Sequence, residues 1–111
     1  MSKRDVVLRM YAVNIHAHHM RYWVLWLGKP WTLTTTWAML SLESQSRYLD
    51  LASCVQDALE KCPGDQAAAA DKVMDYLEEL EWLDPVRPGR KALATPGDIL
   101  INWATHPLGE A

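Results

Sequence analysis

The chain has no phenylalanine, only two cysteines among its 111 residues, and nowhere an unbroken apolar run of membrane length. Each shortage excludes something. Cys54 and Cys62 are too few for the disulfide framework of a small secreted domain. Eight residues apart in a helical segment, they stand two turns from one another, roughly 12 Å at 1.5 Å rise per residue, too far to bridge. The most apolar window, Tyr22 to Leu42, is interrupted by Gly28, Lys29, Pro30 and four threonines. It lacks the roughly 18–20 consecutive apolar residues of a spanning helix. The start, Met1-Ser2-Lys3-Arg4-Asp5, is basic, but no short apolar stretch with a small-residue cleavage site follows. Reduced thiols and a cytoplasmic setting are therefore expected. Phosphate-binding glycine loops, nucleophile elbows and HExxH are missing as well.

Against the missing phenylalanine stand six Trp, five Met and four Tyr. Trp and Tyr combine large apolar area with a polar tip and serve partner surfaces as well as cores. A domain of this size does not easily bury six indoles, so one or two are expected at the surface or an interface. Half the residues are hydrophobic and 23% are charged, a globular composition that fits one domain over 1–111. The net charge of −3 is unevenly spread. Residues 1–48 carry six Lys/Arg against two acids, and residues 49–111 carry five against twelve. A molecule with a basic end and an acidic end is one consequence; two separately solvated faces is the plainer one.

Periodicity predicts a mainly α fold, a small bundle of about four helices. Val6, Met10, Val13, Ala17, Met20, Val24 and Leu27 follow alternating steps of four and three, an a/d heptad seam. Gly28 and Pro30 end that helix. Its other face is polar at Arg9, His16 and His19, then turns apolar at Trp23 and Trp26. The β-branched stretch 31–40 suits either a short strand at 31–37 or a helix entered through a threonine cap. A second helix is predicted over about 42–61, with Tyr48, Leu51, Ala52, Val55, Ala58, Leu59 and Cys62 on one face. A third, capped by Asp65, is predicted over about 66–83, with Ala70, Val73, Leu77 and Leu80 inward. Thr95-Pro96-Gly97-Asp98 has the form of a fourth helix start.

His16, His18 and His19 are the one cluster with metal-ligand character. On a helix only His16 and His19 share a face, and no cysteine lies near them, so no zinc motif is met. Solvated or interface histidines, open to a pH-sensitive contact, are the simpler reading. Neither cysteine sits in an activating neighbourhood, and no cofactor, metal or enzymatic activity is expected. The third helix carries an acidic row: Asp71, Asp75, Glu78, Glu79 and Glu81, with Trp82 beside it. Such a row is either a solvated face or a surface for a basic groove.

The acidic helix, the basic Pro/Gly stretch from Val86 to Lys91 and the step Thr95-Pro96-Gly97 together resemble the end of a winged-helix domain over residues 66–100. That resemblance implies a wing-like β-hairpin at 85–94, with Arg87, Arg90 and Lys91 placed for phosphate contacts. Trp82 stands where that family commonly has glycine. The acids Asp75, Glu78 and Glu79 would oppose a phosphate backbone. Two functional expectations follow. The first is a non-enzymatic interaction module that regulates or inhibits a larger machine. It would use the acidic helix together with Trp23 and Trp26, with the seam free to pair a homodimer. In kind, such a chain is similar to phage-encoded inhibitors of host systems, anti-CRISPR proteins among them. The second is a DNA-binding regulator of winged-helix type.

Overall fold

The computed structural model describes residues 2–26, 28, 35–79 and 96–107, apart from the side chains at 23, 25, 26 and 96. Four helices make up the bundle: α1 (Lys3–Trp26), α2 (Leu42–Lys61), α3 (Gln66–Glu79) and α4 (Pro96–Thr105). A single 3-10 turn, Trp37–Met39, precedes α2. Each start has a local cause. Ser2 Oγ accepts the Asp5 amide at 3.1 Å while the Asp5 carboxylate accepts the Ser2 amide at 3.4 Å, a reciprocal cap for α1. Ser41 Oγ takes the Ser44 amide at 3.1 Å, and Asp65 Oδ1 takes the Ala68 amide at 3.0 Å. Between α2 and α3 the chain turns at Gly64, whose φ of +76° suits a residue without a Cβ.

The helices form a ring in which each packs against its neighbours in the chain and α4 closes back onto α1. α1 and α3 thus occupy opposite corners. Ile15, Leu51, Val55, Val73 and Leu100 are fully buried, so all four helices feed one core. Small residues (Ala12, Ala52, Ala69, Ala70, Ala104) line the contacts and let the backbones come close. Among the described residues no helix is long and apolar enough to cross a membrane.

Several expectations change here. The described residues contain no strand. Of the stretch 31–37, Thr35 and Thr36 are irregular and Trp37 opens the 3-10 turn, while 31–34 lie outside the described residues. Trp37 is held instead by Gln45, whose Nε2 donates to its carbonyl at 3.0 Å. Its ring packs on His16, with centroids 6.0 Å apart. The wing-like hairpin at 85–94 lies outside the described residues, as does everything of α3 beyond Glu79.

The structure also decides which way the seam of α1 faces. Successive residues on a helix are about 100° apart, so Val6, Met10, Val13, Ala17 and Val24 share an arc of about 60°. The buried residues Ala12 and Ile15, with Leu8 packed on the core, lie on the other side. The start of the seam therefore faces away from the bundle: Val6 is 54% and Met10 49% exposed, whereas Val13 and Ala17 are half-buried and Met20 is buried. Asn14, about 100° around the helix from Ile15, marks the α4-side edge of that buried arc, where its Nδ2 donates to the Ala104 carbonyl at 2.8 Å.

Gly97 is the tightest backbone approach. A Cβ there would fall well inside contact distance of the Ala70 carbonyl oxygen. Replacing Gly97 with alanine should force α3 and α4 apart and cost roughly 1–3 kcal/mol, read as a lower urea midpoint.

Candidate functional site

Two places on the molecule depart from ordinary core and ordinary surface. Both are built by α1. The first is internal, a histidine–aromatic layer between α1, α2 and α4. His16 is 3% exposed, and its ring meets the edge of Tyr48 at 5.1 Å. One turn on, His19 Nδ1 lies 2.8 Å from the Tyr48 hydroxyl. His18 lies flat on Trp103, centroids 5.7 Å apart, and its Nε2–H donates to the His106 carbonyl at 2.6 Å. The end of α4 thus folds back onto the histidine cluster, but it offers a backbone oxygen. The His106 ring turns away and donates from Nδ1 to the Asn102 carbonyl at 2.9 Å.

Around Tyr48 this layer disfavours charge for a physical reason. Burial, with the nearby His16 adding to it, holds His19 down to about 4. Burial also lowers His16, and it pushes the Tyr48 hydroxyl up to about 12. Tyr48 therefore keeps its proton and donates it to His19 Nδ1 when His19 carries its own proton on Nε2. His16 Nε2 is buried without a hydrogen-bond partner among the described residues. No group of three or more His, Cys, Asp or Glu converges among the described residues at metal-ligand spacing. The histidines that the sequence presents as solvated or interfacial are packed, His16 and His19 most of all.

The second place is the outward face of α1. Beside Val13, His16, Ala17 and Met20 runs a groove of about 320 Å³, walled on its far side by Thr35, Thr36 and Trp37, so that it borders the histidine layer. Toward the N-terminus it opens onto the exposed Val6 and Met10. Arg9 borders the strip on one side, and Lys3 and Arg21 border it on the other. All three are exposed, and none forms an ion pair among the described residues. The single acid of α1, Asp5, is turned to the amide of Ser2. Arg4 lies outside this rim and bridges Glu60 at 3.2 Å, a half-exposed pair of little net worth.

At the opposite corner, Asp71, Asp75, Glu78 and Glu79 are all exposed on α3. The basic and acidic ends anticipated from composition are thus matched, among the described residues, by a basic corner at α1 and an acidic one at α3. Glu81 and Trp82, and the wing residues Arg87, Arg90 and Lys91, lie outside the described residues. So do the side chains of Trp23 and Trp26. Val6 and Met10 belong to the seam that the sequence reveals, yet periodicity could not say which way the seam faces. Cys54, half-buried with Asp50 and Asp57 nearby, has its thiol pushed up to about 11, mainly by burial. It is a poor nucleophile there. No family model, curated protein or solved structure matches the chain.

The buried histidines set a pH dependence. In the unfolded chain His19 titrates near 6.5, so acid protonates the unfolded state first. The stability that His19 contributes, fully present above about pH 6.5, should fall as pH drops toward 4, where that contribution levels off. The loss assigned to His19 is on the order of 2–3 kcal/mol. Urea titrations at several pH values check this. His19→Gln should flatten the slope, and an undiminished slope would assign it elsewhere.

Proposed function

We propose that this protein is a non-enzymatic interaction module that binds another protein through the outward face of α1. One observation carries the reading: Val6 and Met10 lie half-exposed, in heptad register, on the side of α1 that the bundle does not cover. Large apolar side chains that leave the core and line up at helical spacing are costly to keep in water, and a partner is the usual reason they persist. The adjoining groove extends the strip, so the surface offers both a ridge and a hollow, as helix-recognising surfaces do.

The acidic face of α3 serves in the same reading as a second contact, suited to a basic groove such as a nucleic-acid-binding surface. A small chain with two such faces would regulate or block a larger assembly by occupying its surface. This is the mode of action suggested by the likeness in kind to phage-encoded inhibitors. A homodimer through α1 and DNA binding through Arg87, Arg90 and Lys91 are the competing assignments.

Met10→Asp tests the reading, because a half-exposed position tolerates the change within about 0.5 kcal/mol. A photo-activatable cross-linker placed at position 10 in cells of the source should join the chain to one discrete protein, and Val6→Asp should remove that adduct. Cross-linking only to scattered abundant proteins would overturn the proposal. A gel shift on duplex DNA at low salt, abolished by Arg90→Glu, would favour the DNA-binding regulator instead.

A further inference from the structure

The occupant of the α1 face can be narrowed by chemistry, an inference that rests on the interaction reading above. We infer that the face receives an amphipathic helix with acidic flanks, seated along Val6, Met10, Val13 and Ala17. The spacing of these residues alternates four and three, the repeat that keeps a seam against a second helix over several turns. Ala17 is the smallest residue of the strip. Beside it lies the 320 Å³ groove under Trp37, so the surface is concave where a knob from a partner helix would enter.

Charge selects among occupants. The rim of the strip is cationic on both sides, through Arg9 on one and Lys3 and Arg21 on the other; Asp5, the one acid of α1, lies next to Arg9 on the helix but is turned to the Ser2 amide. A second copy offering the same face would set cation against cation at these flanking positions, where opposite charges choose the partner. The acidic α3 of another copy matches the charge but not the apolar strip. The exposed large hydrophobic residues among those described are Val6, Met10, Met39 and Leu42, and none lies on α3. A nucleic acid would meet the cations and leave Val6 and Met10 uncovered. A lipid surface meets both needs, but it prefers a convex apolar edge and has no use for a heptad hollow. An acidic amphipathic helix satisfies the spacing, the hollow and the rim together.

The test titrates the full chain with synthetic helical peptides of about three heptads, leucine at a and d, with glutamate at the flanking positions in one and lysine in the other. The glutamate peptide should bind, weaken with added salt, and lose on the order of tenfold in affinity with Met10→Asp and again with Arg9→Glu. Circular dichroism checks that both variants keep their helix content, and Arg9→Glu reports on charge independently of the apolar strip. Equal binding of the lysine peptide would overturn the acidic assignment. So would binding only to phosphatidylserine vesicles, or a sedimentation dimer abolished by Met10→Asp. If neither peptide binds but position 10 still cross-links to one protein, the interaction reading stands and the acidic helix fails. If both experiments are negative, both fail.

Discussion

The hydrogen bond from Asn14 to the Ala104 carbonyl pins α1 against α4 at one edge of its buried arc, and much of the molecule is arranged around that docking. α1 has apolar residues on both sides, so hydrophobic burial alone does not choose between them. Asn14 is 7% exposed, and a buried amide must find a partner or cost the helix its place in the core. The carbonyl at the end of α4 supplies one at 2.8 Å. Asn14 marks the α4-side edge of the buried arc, and Ile15 and Ala12 fill the rest of it. Val6 and Met10 fall outside that arc and stay exposed.

The same docking places the histidines inward. His16 and His19 meet Tyr48 on α2, and His18 lies on Trp103 of α4. This layer does the work that phenylalanine does elsewhere, with flat rings filling the space between three helices. Its difference from a purely apolar layer lies in its protonation. Neutral imidazole packs as an aromatic, whereas imidazolium in the same position is a desolvated charge. The core is therefore coupled to pH in a way that an aliphatic core is not.

The ring order gives the charge pattern its geometry. α1 and α3 occupy opposite corners, so the cationic rim and the exposed acids Asp71, Asp75, Glu78 and Glu79 point away from each other. Neither set neutralises the other within one molecule. Each remains available to steer an encounter with a partner of the opposite sign, a long-range effect that salt would weaken.

Much of the fold was legible in the residues themselves. The span of α2, the Asp65 cap of α3, the Pro96 start of α4 and the inward rows of α2 and α3 follow from local pattern and capping chemistry, which act within a turn or two. The strand considered at 31–37 misled because threonine and tryptophan suit an extended chain as well as a turn. The packing of Trp37 on His16 and Tyr48, a contact distant in sequence, decided the matter among the residues described there. For the candidate site, the heptad seam and the arginines beside it were readable, but their orientation was not. By itself the sequence determined that α1 is a helix with a regular apolar seam, since periodicity is a property of one element. Only the tertiary structure decided that Val6 and Met10 of that seam face outward while Met20 is buried, because that depends on how α2 and α4 pack around α1.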